Sequence, residues 1–196
     1  MFYALRNLFA LVGFLAVVVA IYAAVQFAPM KQAFDAFDEG AIDVYTDMFS
    51  KLLETGNSAE SMVWQVPVSE GLSAEEVEET MRFVANEHNI KNVGELPLSG
   101  QIEAMTGKES RFLKIYMFCN ALTALEMLEY SNAYSAFLPC RVSMVEDKEG
   151  KLWLYSLNMD AMIYGGTPLP ASLKEEAEGV KEIILDIMNR GAEGDF

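Results

Sequence analysis

The chain has 196 residues, 52% of them hydrophobic, and 14 basic against 29 acidic side chains leave a formal charge of −15. Such acidity argues against a nucleic-acid partner, because a phosphate backbone needs a basic footprint, and against docking of the soluble part on anionic lipid; what it supplies is solubility. Two cysteines are too few for a disulfide framework, and the length suits one domain plus an appendage.

Leu8 to Ala28 carries no charged residue and a single amide, Gln26. As a helix this run rises roughly 30 Å, the thickness of a bilayer core, with its backbone groups paired internally. Residues 1–30 are therefore expected to be a membrane anchor that touches lipid through 8–28. Arg6 stands before the run and Lys31 after it, so the basic residues that set topology are balanced and give a weak signal. The expectation is a single-pass protein of the bacterial inner membrane, N-terminus inside, with the folded part in the periplasm or outside. The competing reading is a cleaved secretory signal, whose apolar core spans about 7–15 residues and is shorter than this one. Small residues for cleavage stand at Ala20, Ala23 and Ala24.

Pro29 marks the expected exit from the span. Beyond it, Phe34, Phe37, Ala41, Tyr45, Met48 and Leu52 fall three or four apart, with acids between them, which predicts one amphipathic helix within 31–57 ended by Gly56-Asn57. It is either a connecting helix packed on the domain or a partner helix beside the membrane, with Phe34, Phe37, Tyr45, Met48 and Leu52 at the contact.

Residues 58–190 read as one domain and 191–196 as a frayed tail. Met62 to Val68 alternates as a strand, and Pro67 places it at an edge or a strand end. Ser73 and Glu76 form a capping box for a helix buried along Val77, Met81, Val84 and Ala85, with His88 in its last turn. Val93 to Leu98 is a short strand, Gln101 to Met105 one or two helical turns ended by Gly107, and Phe112 to Phe118 an inner strand. Asn120 caps a helix through Leu122, Leu125 and Leu128. Arg141 to Val145 and Leu152 to Leu157 make a hairpin turning at Asp147 to Gly150. Ser172 and Glu175 make a second capping box for a last helix that Gly191 ends. Strands mixed with helices and a closing hairpin give an α+β fold, an antiparallel sheet of four to five strands with helices on one face.

From about Ser61 to Ala161 the chain resembles the DUF302 family. The resemblance rests on the Ser73–His88 helix, on Phe118-Cys119-Asn120-Ala121, on Leu138-Pro139 followed by Arg141-Val142, and on the hairpin residues Glu146-Asp147, Gly150-Lys151 and Trp153-Leu154-Tyr155. It implies a TATA-binding-protein-like half-fold and homodimers, and it brings no catalytic residue. Cys119 and Ala121 depart from the family's pattern.

Little in the chain carries chemistry. His88 is the only histidine, no serine sits in G-x-S-x-G, and there is neither a C-x-x-C nor a phosphate-binding glycine loop. His88 reads as a dipole-compatible residue at a helix end. Glu75, Glu76, Glu78 and Glu79 read as a solvated helix face plus a cap, and the methionines as core filling. Cys119 and Cys140 are open to three readings: buried thiols, a disulfide, or a reactive thiol. No cofactor or metal is expected. The expected function is a membrane-anchored extracytoplasmic binding or structural module without catalysis of its own, an accessory subunit of a membrane assembly or a homo-oligomer. The alternative is a thiol-redox or sulfur-handling protein using Cys119 and Cys140.

Overall fold

The computed structural model describes residues 2–196; Met1 and the side chains of Ala4 and Leu8, all within the expected anchor, lie outside that set. The apolar run forms helix α1 (Phe2–Asp35), the one helix among the described residues long and apolar enough to cross a membrane. Pro29 lies inside α1 rather than at its end.

The single helix expected through Phe34 and Leu52 is two. α1 stops at Asp35, and α2 (Ala41–Thr55) begins beyond residues 36–40, so Phe34, Phe37 and Tyr45 do not share one continuous helix. Asp38 makes the break. Its carboxylate accepts the Gly40 N–H at 3.0 Å and the Lys174 ammonium at 2.6 Å, while its own N–H donates to the Gly166 carbonyl at 2.7 Å. A side chain that bonds the backbone two residues on competes with helix. α2 docks on the domain: Ala41 is buried, Met48 and Leu52 are half-buried, and the Tyr45 hydroxyl donates to the Gly165 carbonyl at 2.7 Å. Its outward side leaves Ile42, Phe49 and Leu53 exposed.

Strands β1 (Val63–Pro67), β2 (Lys91–Pro97), β3 (Leu113–Cys119), β4 (Cys140–Glu146) and β5 (Leu152–Leu157) form one sheet in the order β1-β5-β4-β3-β2, with every neighbouring pair antiparallel. The hairpin is its centre. Pro67 lies on an outer strand, where a missing donor costs least. β2 forms the other edge, and its register slips between Asn92 and Gly94. A Cβ at Gly94 would lie 2.7 Å from Met117 Cε, the movable end of that side chain, so the slip occurs where Met117 would have to shift for a larger residue.

α3 (Ala74–Glu87) and α7 (Ala171–Glu193) pack together over one face of the sheet. Tyr116, Phe118, Val142, Met144 and Leu154 alternate onto that face and meet Val77, Met81, Val84, Ile184, Ile187 and Met188. The Ser73 capping box is present: Ser73 Oγ accepts the Glu76 N–H at 3.3 Å, and Glu76 Oε2 accepts the Ser73 N–H at 2.8 Å.

Four local expectations change. α7 begins at Ala171 after Pro170, with no side-chain cap, because buried Leu169 and Leu173 set its start by packing rather than by a Ser172 cap. It ends at Gly194, not Gly191; Gly191 is buried against Met81 and lets the two helices approach. Glu78 is not on a solvated face. It takes the Tyr116 hydroxyl at 2.6 Å, Lys114 at 2.9 Å and Arg82 at 2.9 Å, and Lys114 and Arg82 also bind Glu95. Burial opposes the charge on Lys114, but its bonds to Glu78 and Glu95 outweigh that and hold its pKa above the ordinary value. Last, α5 (Ala121–Tyr130) buries Thr123 and Met127 and leaves Leu122 and Leu125 exposed.

The remaining helices are α4 (Leu98–Thr106), ended by Gly107 in the left-handed region (φ 66°), and α6 (Asp160–Tyr164). Met127, Met159, Ile163, Leu169, Leu173 and Ala177 form a second, smaller core beside the first.

Candidate functional site

The β4–β5 ladder runs from Glu146–Leu152 to Val142–Ser156 and stops, and Cys140 and Arg141 continue β4 with partners on β3 alone. At this end α5, the 3-10 segment Asn132–Phe137 and the start of β4 border a cleft of about 300 Å³. Alternation along the strands gives it walls from both sides of the sheet. Ile115, Ser143 and Tyr155 belong to the outer face; Phe118, Cys140 and Ser156 belong to the core face. Met127, Met159 and Ala177 connect the cleft with the second core.

Local structure holds these walls. Asn120 Oδ1 accepts the Leu122 N–H at 3.1 Å and starts α5, as its sequence position predicts. The Tyr134 hydroxyl donates to the Met162 carbonyl at 3.2 Å and ties the 3-10 segment to α6. A neighbouring cleft shares Tyr134, Phe137, Leu157 and Met162 and is lined also by Met48. Apolar walls thus continue from the sheet end to α2, the helix that follows α1.

Among the described residues Arg141 is the one charged residue lining the cleft at the sheet end. It is exposed and enters no ion pair among the described residues. From the sequence Arg141 is the start of the hairpin and part of the Leu138-Pro139, Arg141-Val142 resemblance, not a site residue. Its signal was an isolated cation at the head of an apolar strand.

Cys119 and Cys140 both line the cleft, and both are free thiols. Cys140 pairs with Phe118, so Cys119 is one residue out of register and faces the other side of the sheet. Burial pushes the Cys140 thiol up to about 11; the nearby Cys119 adds to this and Arg141 opposes it. Burial raises Cys119 as well. Both are protonated at neutral pH, which is the unreactive form.

The other candidates lie elsewhere. His88 ends α3, with Nε2 2.7 Å from Asp186 Oδ2. Met48 lines the neighbouring cleft, Tyr45 is bonded to Gly165, and the Phe34 and Phe37 rings stand 5.3 Å apart at the helix break. Met144 and Met159 are buried as core, whereas Met105 is 86% exposed. Among the described residues no three His, Cys, Asp or Glu side chains gather as a metal site.

No curated protein matches the chain. A solved structure, that of an uncharacterized conserved protein DUF302 from Bacillus stearothermophilus, is similar with a TM-score of 0.54 at 17% identity, over 66% of this chain and 97% of that one. At that identity the likeness is one of fold. The model of the domain of unknown function DUF302 matches residues 64–191, which spans every strand but the first residue of β1 and all but the end of α7. With more than half of its length matched, the chain belongs to the DUF302 family.

Proposed function

We propose that the protein is a membrane-anchored binding module, held at the bilayer by α1, whose cleft at the Cys140 end of the sheet takes up an apolar small molecule. The observation that carries this reading is the cleft itself. It is concave, mostly apolar and held by a few polar groups, the ordinary form of a small-molecule site. Among the described residues no nucleophile, base and orienting group stand together in it, and its thiols are held protonated.

The test uses the full chain in nanodiscs of neutral phosphatidylcholine. A dodecanol carrying a diazirine at its tail is photolysed and the labelled peptides are mapped. Label on residues 113–163 that saturates supports the reading. Label confined to α1, which the lipid-borne probe must reach, overturns it.

The folded part is proposed to lie outside the cytoplasm, in the periplasm if the cell is Gram-negative. Protease added to spheroplasts should remove the chain beyond Lys31, and a fragment protected until lysis would reverse the orientation. Self-association, or docking in a larger membrane assembly, is supported by the exposed Ile42, Phe49 and Leu53 beside the anchor. Confinement by the anchor raises the effective concentration of the chains. Phe49→Asp should then shift the sedimenting species in detergent toward monomer; a wild type that sediments alone as monomer would end that part of the proposal.

A further inference from the structure

We infer that the occupant of the cleft is a single-chain amphiphile with an anionic head, its tail among Met127, Met159 and Ala177 and its head on the Arg141 guanidinium; this rests on the reading of the cleft as a binding site.

Charge complementarity is the first argument. The chain carries a formal charge of −15, yet among the described residues the only charged one that lines this cleft is a cation. No carboxylate shares the lining to neutralise it, and no ion pair claims it among the described residues. A planar guanidinium at an apolar mouth is suited to two parallel bonds with one carboxylate-like group. A neutral apolar guest would leave it unused, and a cationic one would be repelled.

Size and texture give the tail. A volume of about 300 Å³ is at the low end for small-molecule sites, enough for one aliphatic chain and too small for a two-chain lipid. Methionines Met127, Met159 and Met162 line it, and their unbranched, polarizable side chains adapt to a flexible guest. The source follows from position. Through Tyr134, Phe137, Leu157 and Met162 the cleft adjoins the one lined by Met48 of α2, the first helix beyond the anchor. The bilayer surface is where single-chain amphiphiles collect, so the guest is drawn from there.

The experiment uses the full chain in the same neutral nanodiscs, with three diazirine probes of equal tail length: dodecanoate, dodecanol and dodecyltrimethylammonium. The readout is the concentration that half-saturates label on residues 113–163. In the wild type, dodecanoate should half-saturate at about one tenth the concentration of dodecanol, the scale of one charge-assisted contact, and the ammonium should be weakest. Arg141→Gln should remove the advantage of the carboxylate over dodecanol, whereas Arg141→Lys should keep part of it. Ala124→Phe, which fills the cleft, should block all three. Equal saturation by the three probes, still blocked by Ala124→Phe, would overturn the anionic head and leave the cleft as a binding site. Failure of every probe to saturate the cleft would overturn both. The wild-type ranking decides the question even where a variant folds poorly.

Discussion

Lys174 Nζ lies 2.6 Å from Asp38 Oδ2, and this pair joins the break behind α1 to the last helix of the domain. The carboxylate is 4% exposed on its side chain, so few waters replace its partner. Lys174→Gln should therefore loosen α2 without unfolding the sheet. Hydrogen exchange should accelerate at least about tenfold for amides of 41–55 and stay unchanged for 113–119 and 140–157. Equal protection in the variant would mean that Tyr45 and Ala41 hold α2 without the pair.

The same contact sets a pH dependence. The Lys174 bond, and after it the Gly40 N–H, hold the Asp38 carboxyl below its ordinary value of 3.8. A carboxyl depressed in the folded state contributes stability above its unfolded pKa and loses it as the pH falls through the folded one. Docking of α2 should be insensitive to this group between pH 5 and 8 and weaken below about 3.8. Exchange of 41–55 followed down from pH 6 checks this, and in Lys174→Gln the acid step should shrink.

The two expected capping boxes now make opposite predictions. Ser73→Ala removes a bonded N-cap and should cost about 1 kcal/mol. Ser172 lies inside α7 and caps nothing, so Ser172→Ala should change stability by less than about 0.5 kcal/mol, as ordinary surface changes do. Urea denaturation of the full chain in nanodiscs, read as midpoint shift, separates them.

Gly191→Ala pits two effects against each other. Alanine favours a helix over glycine by about 1 kcal/mol. A Cβ at Gly191, however, would lie 2.5 Å from Met81 Cγ, and Met81 is fully buried. Forcing a methyl into a packed core costs about 1–3 kcal/mol, so the variant should be less stable on balance. Pairing it with Met81→Ala should recover part of the Gly191→Ala loss; no coupling in that cycle would place the strain elsewhere.

The thiols should react slowly. With Cys140 pushed up to about 11 and Cys119 also raised, alkylation by iodoacetamide at pH 7.5 should run at least about tenfold slower than for an unfolded thiol. Cys119, the less buried, should react first. Fast alkylation of either folded thiol would favour the thiol-redox alternative.

Most of the fold was legible along the chain because its causes are local. The long apolar helix α1 is legible because an uncharged apolar run needs no partner to declare itself. The hairpin, the Ser73 box and the Asn120 cap are legible because side chain and backbone lie within a few residues of each other. Where an element is set by something distant, periodicity misled. The stripe from Phe34 to Leu52 reads as one helix, but Lys174 draws Asp38 into the domain and breaks it. Glu78 reads as solvated because its sequence neighbours are acidic, while its partners Tyr116 and Lys114 come from β3, far along the chain. Gly191 reads as a stop, but Met81 on another helix makes it a point of contact. The cleft was the least legible of all. It exists because β5 parts from β4 just where Arg141 begins, and a strand's pairing partner is a property of the whole sheet. Residue order by itself determined most of the helices and strands and the long apolar run; which side chains meet was decided by tertiary packing, since contact energy depends on distance in space rather than along the chain.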